Sequence, residues 1–240
     1  MTFTNNNRLS EGSVKRLFST FIVILLAAIS LNAQTVGGSI MLGSPQGDFR
    51  TNVDRLGYGL QFHGTLWTPS KERPFTIGLN IGYMIYGEVS ERRPLSEFIP
   101  DVTVEVNRTN NLANFHLLMQ VSPFTGTVRP YLEGLIGGAY IFTTSEVKST
   151  STQLTFAEST NWDDFTWSYG AGAGLLFLIS KDLGEVKDLY LDLKGRYVYG
   201  TEAQYLTEND VRVVGGRVLY FPRKSKTDLL TFHIGVVAYF

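Results

Sequence analysis

The stretch Thr231-Phe-His-Ile-Gly-Val-Val-Ala-Tyr-Phe240 decides the fold. Its residues alternate. Phe232, Ile234, Val236, Ala238 and Phe240 fall on one face of an extended chain, and Thr231, His233, Gly235, Val237 and Tyr239 on the other. A tilted strand crosses a bilayer in roughly 9–11 residues. This segment has that length and one wholly apolar face, so it reads as part of a membrane wall.

The same two-faced pattern recurs upstream. Val36, Gly38, Ile40 and Leu42 share one face of a first segment, opposite Thr35, Gly37, Ser39 and Met41. Leu56–Leu66, Phe75–Tyr86, Asn114–Val121, Tyr131–Phe142, Phe165–Ile179 and Leu189–Tyr199 repeat it, which makes eight strands with the last. Period-two alternation rich in β-branched and aromatic residues is the strand signal. The eight prolines fall between these segments or at their first residue, where a missing N–H does not break a ladder. Short connections (Thr68–Arg73, Ser122–Arg129, Lys181–Asp188) alternate with long ones (Glu88–Asn110, Thr144–Asp164, Thr201–Thr227), and Ser44–Asp54 is intermediate. Short turns on one rim and long loops on the other are the layout of an outer-membrane barrel. Glu88–Val106 and Val211–Tyr220 also alternate, so those strands are expected to project beyond the bilayer.

The N-terminus points to the same compartment. Lys15 and Arg16 precede an apolar stretch from Leu17 to Leu31, with Asn32-Ala33-Gln34 after it. A basic region, an apolar core and a small residue describe a secretory signal peptide. Cleavage is expected after Ala33, with Ser30 as the alternative. Residues 1–33 are then the leader, and residues 34–240 form one barrel domain. Removing Arg8, Lys15, Arg16 and Glu11 leaves 18 basic and 21 acidic residues, a net charge of −3. Nucleic-acid binding needs a basic footprint and is not expected. Cysteine is absent, so disulfides and thiolate metal sites are excluded. Without a long apolar helix, a membrane location requires a closed barrel, which alone pairs every backbone group without one.

One face of each segment is nearly free of charge, and the other mixes Gly, Thr, Ser, Asn, Gln and His. Small and polar residues suit the narrow, side-chain-filled lumen of eight strands. Large apolar residues then face lipid. Phe75, Phe124, Tyr131 and Phe240 are placed toward the short turns. Tyr83, Tyr140, Phe142, Phe165, Trp167, Tyr197 and Tyr199 are placed toward the long loops, as two interfacial girdles. A soluble, lipocalin-like barrel is the alternative.

On these features the mature chain resembles the small eight-stranded outer-membrane β-barrel family of Gram-negative envelopes, including a branch common in Bacteroidetes-like bacteria. The resemblance implies an all-β, antiparallel up-and-down transmembrane barrel. It also implies a C-terminal assembly signal at His233, Gly235, Ala238 and Phe240, read by the barrel-assembly machinery. Ala238 departs from the usual aromatic residue there.

Inward parity places Glu133 on the fifth strand and Asp192, Lys194 and Arg196 on the seventh. Two acids and two bases are expected to pair in the lumen as a structural network, with Glu133 bonding Arg196 or Lys194, since a buried unpaired charge is costly. His63, His116 and His233 also point inward. They lack the local spacing of a metal site or a nucleophile–histidine–acid triad. No catalytic residue, metal or cofactor is expected. Gly170-Ala-Gly-Ala-Gly174 reads as a strand whose inward positions must be small. Arg92-Arg93 and Arg223-Lys224-Ser225-Lys226 lie in or beside long loops, where solvation or contact with lipopolysaccharide are the two readings. The expected function is that of a non-enzymatic outer-membrane protein, structural, adhesive or a subunit of an envelope or secretion complex. Its partners are membrane lipid, lipopolysaccharide and an envelope protein met through the long loops. A lipid-modifying enzyme, a narrow channel and a periplasmic ligand-binding barrel are the alternatives.

Overall fold

The computed structural model describes residues 34–96, 99–149, 155–214 and 217–240. The expected leader, residues 1–33, and part of the Ser/Thr-rich stretch at 148–155 lie outside the described residues. Eight strands close into an antiparallel barrel: β1 (Thr35–Pro45), β2 (Gly57–Thr65), β3 (Phe75–Ser96), β4 (Ile99–Val121), β5 (Val128–Ser149), β6 (Thr155–Leu183), β7 (Val186–Gly200) and, at the end of the chain, β12 (Leu229–Tyr239). Each pairs with its neighbour in sequence, apart from the step from β7 to β12. The chain between them holds four short strands: β8 (Glu202–Tyr205), β9 (Val211–Val214), β10 (Arg217–Tyr220) and β11 (Arg223–Lys226). β12 closes the ring against β1, in register from Thr35↔Tyr239 to Pro45↔Leu229. The Phe240 N–H donates to the Gln34 carbonyl (2.9 Å), which completes the seam. Closure leaves no unpaired edge within the wall, a requirement of any sheet in lipid.

The wall is apolar outside and polar inside. Ile40, Leu60, Phe62, Leu132, Ile136, Phe232 and Ile234 are exposed, whereas Ser39, Gln61, His63, Asn80, Thr231 and His233 are buried. A soluble barrel would show the reverse. Because side chains alternate strictly, a shift of one residue in any strand would exchange these faces, so the two environments fix the register. The chain is thus a transmembrane β-barrel in architecture. At one end Phe75, Phe124 and Phe240 form the outer aromatic set, joined by Trp67, whose indole carries the Arg73 guanidinium 3.5 Å from its ring centre. At the other end Tyr140 stacks on Phe142 (5.3 Å), Phe165 meets Trp167 edge-on (5.3 Å), and Tyr169 stacks on Tyr199 (5.5 Å).

Tyr131 departs from the girdle reading. It is buried in the lumen, as its own strand parity dictates, and its hydroxyl serves a carboxylate there. Of the long connections, Glu88–Asn110 is paired strand, in line with its alternation, whereas Thr144–Asp164 departs, being strand where a loop was expected. β3 and β4 stay paired from Gly87↔Asn110 to Ser96↔Ile99, and β5 and β6 from Thr143↔Trp162 to Lys148↔Thr155. β4 and β5 pair as far as Val104↔Ser149, so a four-stranded sheet stands above the barrel. Its outer strands lack barrel partners, because β2 pairs with β3 only as far as Tyr58↔Ile85, and β7 meets β6 only from Ser168↔Gly200. Pro45, Pro94, Pro100 and Pro130 lie inside strand bounds, Pro45 as the last residue of β1. Pro94 is on the open edge of β3, and Pro130 lies beyond the last β4 pairing at Val121↔Leu132, so both fit where no ladder bond is needed.

The Ser44–Asp54 connection contains α1 (Gly47–Asn52), a helix of 6 residues that drives Phe49 into the barrel mouth. Phe49 meets Tyr205 and Tyr86 edge-on, with ring centres 5.1 and 5.6 Å away. Met41, Met84, Leu112, Ile141 and Leu229 complete this apolar cap.

Candidate functional site

The lumen is filled in three layers, and the middle one carries the charges. Glu133 on β5, Gly172 on β6 and Arg196 on β7 occupy one row of the wall. Gly172 has no side chain, so Arg196 reaches across β6 to Glu133. A Cβ on Gly172 would sit 2.7 Å from Arg196 Cγ and 2.9 Å from Glu133 Oε1. The guanidinium binds the carboxylate through two nitrogens, Nε to Oε1 and Nη2 to Oε2 (3.0 Å). Two-point geometry of this kind is the strong form of the arginine–carboxylate contact. Arg196 Nη1 also donates to Asn80 Oδ1 (3.0 Å), which accepts from Gln61 as well. One residue pair lower, Lys194 Nζ lies 2.9 Å from Asp192 Oδ2, and the Tyr131 hydroxyl donates to Asp192 Oδ1 (2.6 Å). All four charged side chains are no more than 2 % exposed. This middle layer thus holds two positive and two negative groups in two neutral pairs.

Below this layer Tyr131, Leu176, Tyr190, Val237 and Tyr239 pack together. Arg129 bolts them to the short-turn rim. Its guanidinium lies 4.9 Å from the Tyr239 ring centre and donates to the carbonyls of Phe124 (2.9 Å) and Pro69 (2.6 Å). Sequence reading missed Arg129 because it opens a strand beside a turn, where an arginine is ordinarily solvated. Above the charges sits the apolar cap around Phe49. A cavity between the layers, lined by Gln61, Asn80, His116, Ser168, Arg196 and His233, measures about 30 Å³. One water needs about 10–15 Å³ of such space, so the cavity has room for no more than a few waters.

All three histidines are buried in the lumen on different strands. His116 Nε2 shares a hydrogen bond with Ser168 Oγ (2.7 Å), and His233 Nε2 with Thr231 Oγ1 (2.8 Å). The His116–Ser168 pair has a nucleophile and a base but is sealed between the two packed layers. Its Nδ1 has no hydrogen-bond partner among the described residues, so the orienting acid of a triad is lacking there. No cluster of three or more potential metal ligands occurs among the described residues. His233, Gly235, Ala238 and Phe240 lie along the closing seam. Gly235 packs against β1, where a Cβ would sit 2.5 Å from that of Ser39.

A second cavity, of about 690 Å³, indents the outer wall and not the lumen. Ala173 and Gly195 form its floor between Leu132 and Phe232, which occupy the same row. Its lining is apolar and continuous with the belt.

On the rim beyond the aromatic girdle, Asp210 anchors the long β7–β12 connection. Its carboxylate accepts from the Thr207 N–H (2.9 Å) and hydroxyl (2.6 Å), and Arg223 Nε lies 3.0 Å away. Burial opposes its ionisation, but the Thr207 and Arg223 contacts outweigh that and hold the carboxyl below its ordinary value. Lys224 pairs with Glu202 (2.9 Å) across the β8–β11 ladder, with both side chains in solvent.

No protein-family model matches the chain, and no curated protein matches it. Among solved structures it is similar to neisserial surface protein A at 11% identity, with a TM-score of 0.41, covering 86% of this chain and 96% of that one. Ail, the attachment invasion locus protein of Yersinia pestis, in complex with a heparin analogue, gives 11% identity and 0.39 over 86% and 97%. A major outer membrane protein from Thermus thermophilus gives 11% and 0.41 over 86% and 99%. None of these supports the Bacteroidetes branch of the resemblance. Likeness at this level concerns the course of the chain and not what it binds.

Proposed function

We propose that the chain from residue 34 onward is a non-enzymatic protein of the outer membrane, and that it displays a rigid sheet to the exterior without conducting. One observation carries this reading: an apolar, aromatic-bordered belt encircles a lumen filled from rim to rim. The belt supports lipid as the surrounding medium. The filled lumen argues against a channel, and the enclosure of His116 and Ser168 argues against a lipid-modifying site at the outward rim. The projecting β3–β6 sheet argues for contact with a partner, because among the described residues β3 and β6 each have one strand neighbour there, which leaves a side to which an extended segment can add. Lipopolysaccharide is the expected neighbour at the basic rim. The barrel-assembly machinery would read β12 during insertion, through His233, Gly235, Ala238 and Phe240. Residues 1–33 would serve as the export signal.

The test is reconstitution with two readouts. The expressed chain should fractionate with outer membrane, require detergent, and run faster unheated than boiled on a gel. In planar bilayers it should give no unitary conductance. Recovery in the soluble periplasmic fraction would overturn the reading, and stable conductance would overturn its non-conducting part.

A further inference from the structure

The small cavity between the charged layer and the apolar cap owes its room to the strand register. Asn80, His116, Gly137 and Ser168 share one row of the wall, on β3 to β6. Gly137 has no side chain to stand between His116 and Ser168. Gly82 stands in the same way between Gln61 and Asn114 in the next row. Five residues lining this space of about 30 Å³ each hold a buried atom without a hydrogen-bond partner among the described residues. They are Gln61 Oε1, Asn80 Nδ2, Asn114 Oδ1, His116 Nδ1 and His233 Nδ1. Buried polar groups are costly to leave unmet, and nearly all of them in folded proteins find a partner. Their convergence on one cavity points to an occupant.

The chemistry of the lining selects it. Asn80 Oδ1 accepts from Arg196, which can only donate, so the amide is oriented with Nδ2 as an unmet donor. Gln61 Nε2 donates to that same oxygen, which leaves Gln61 Oε1 as an unmet acceptor. Each histidine can offer Nδ1 as donor or acceptor, according to its tautomer. An anion would satisfy Asn80 and leave Gln61 opposed to it. A cation would satisfy Gln61 but oppose Asn80 and Arg196. The charged layer already consists of two neutral pairs, so no net charge draws an ion in. Water donates and accepts at once, and it fits the volume.

We propose that this cavity is a buried hydration site holding about two or three waters. The waters complete the hydrogen bonding of Gln61, Asn80, His116 and His233, and so link β2, β3, β4 and β12 across the lumen. They are enclosed between the cap around Phe49 and the packed layer of Tyr131, Tyr190 and Tyr239. Exchange with bulk water therefore requires that packing to open.

The test begins with the full chain, isotope-labelled and refolded in detergent. Absence of heat-modifiable mobility at that step would overturn the barrel reading and this inference together. In the folded protein, water-selective nuclear Overhauser spectra should show long-lived contacts from water to the Asn80 side-chain amide and to the His116 and His233 rings. Exchanging chloride for nitrate should leave those signals in place. His116→Phe/Ser168→Ala puts an apolar ring into the space and should abolish the contact at Asn80. Ser168→Val, a smaller change to the same wall, should weaken it. The inference alone is overturned if folded wild-type protein shows no water contact at Asn80, His116 or His233. It is equally overturned if the signals follow the anion, or if the Asn80 contact is undiminished in whichever of the two variants folds.

Discussion

The ion pairs inside the barrel and those on its rim use the same chemical groups in opposite surroundings. Glu133–Arg196 lies in the lumen with both side chains 2 % exposed, and Glu202–Lys224 lies in solvent at 59 % and 60 %. The lumenal pair is held by two-point geometry, by Asn80, and by a glycine that clears its path. The rim pair is held by little beyond its own attraction, which water and salt screen. A buried pair gains no great stability by existing, but losing one partner strands the other. The difference teaches that the middle layer specifies the barrel, whereas the rim pair is free to vary.

Replacing one inner partner should break the contrast most sharply. Arg196→Met leaves Glu133 buried without a counter-charge and should cost about 3–5 kcal/mol, read as a lower melting temperature in detergent. Adding Glu133→Leu should recover much of that loss, and an additive outcome would show that the two residues do not act as a pair. Gly172→Ala should cost about 1–3 kcal/mol by the same measurement, because the new methyl group enters the path of Arg196. Tyr131→Phe removes one donor from buried Asp192 and should cost about 1–3 kcal/mol. Lys224→Ser, at the exposed end of the comparison, should leave melting unchanged at every salt concentration tested.

Asp210 sharpens the comparison from an intermediate position. Its folded-state carboxyl is held below its ordinary value by Thr207 and Arg223 against the opposing effect of burial. The stabilisation it gives the β7–β12 connection is therefore complete above the ordinary carboxylate range. It drains away as pH falls through the lowered value. Hydrogen exchange of residues 202–226, corrected for intrinsic rate, should show that segment opening in acid while β1 and β12 stay protected. Asp210→Asn should remove the pH dependence.

The wall was legible because lipid and lumen impose opposite demands on neighbouring residues, and the stretch Thr231–Phe240 displays both in ten positions. The projecting sheet was only partly legible. Residues 144–148 are half-buried throughout and 157–160 exposed throughout, so no apolar stripe reports their alternation. Tyr131 illustrates a conflict between parity and residue type. Parity placed it inward, an aromatic near a turn suggested the girdle, and parity prevailed because Asp192 needed its hydroxyl. Inward parity put Glu133 and Arg196 in one lumen, but their contact depends on the register that sets Gly172 between them, which no single strand reveals. Phe49 left no signal, since a helix of 6 residues is too short to show a period.

The apolar belt facing outward into lipid is the central claim, and the absence of cysteine permits a direct test of it. Single variants Leu193→Cys, Phe232→Cys and Ile234→Cys on the belt, with Lys224→Cys on the rim, would each carry a fluorophore in reconstituted protein. Lipids bearing a nitroxide in mid-chain should quench the three belt labels and spare Lys224→Cys, while aqueous iodide should quench only Lys224→Cys. Quenching of the belt labels by iodide, with none by the nitroxide lipid, would contradict the account and place the barrel in water.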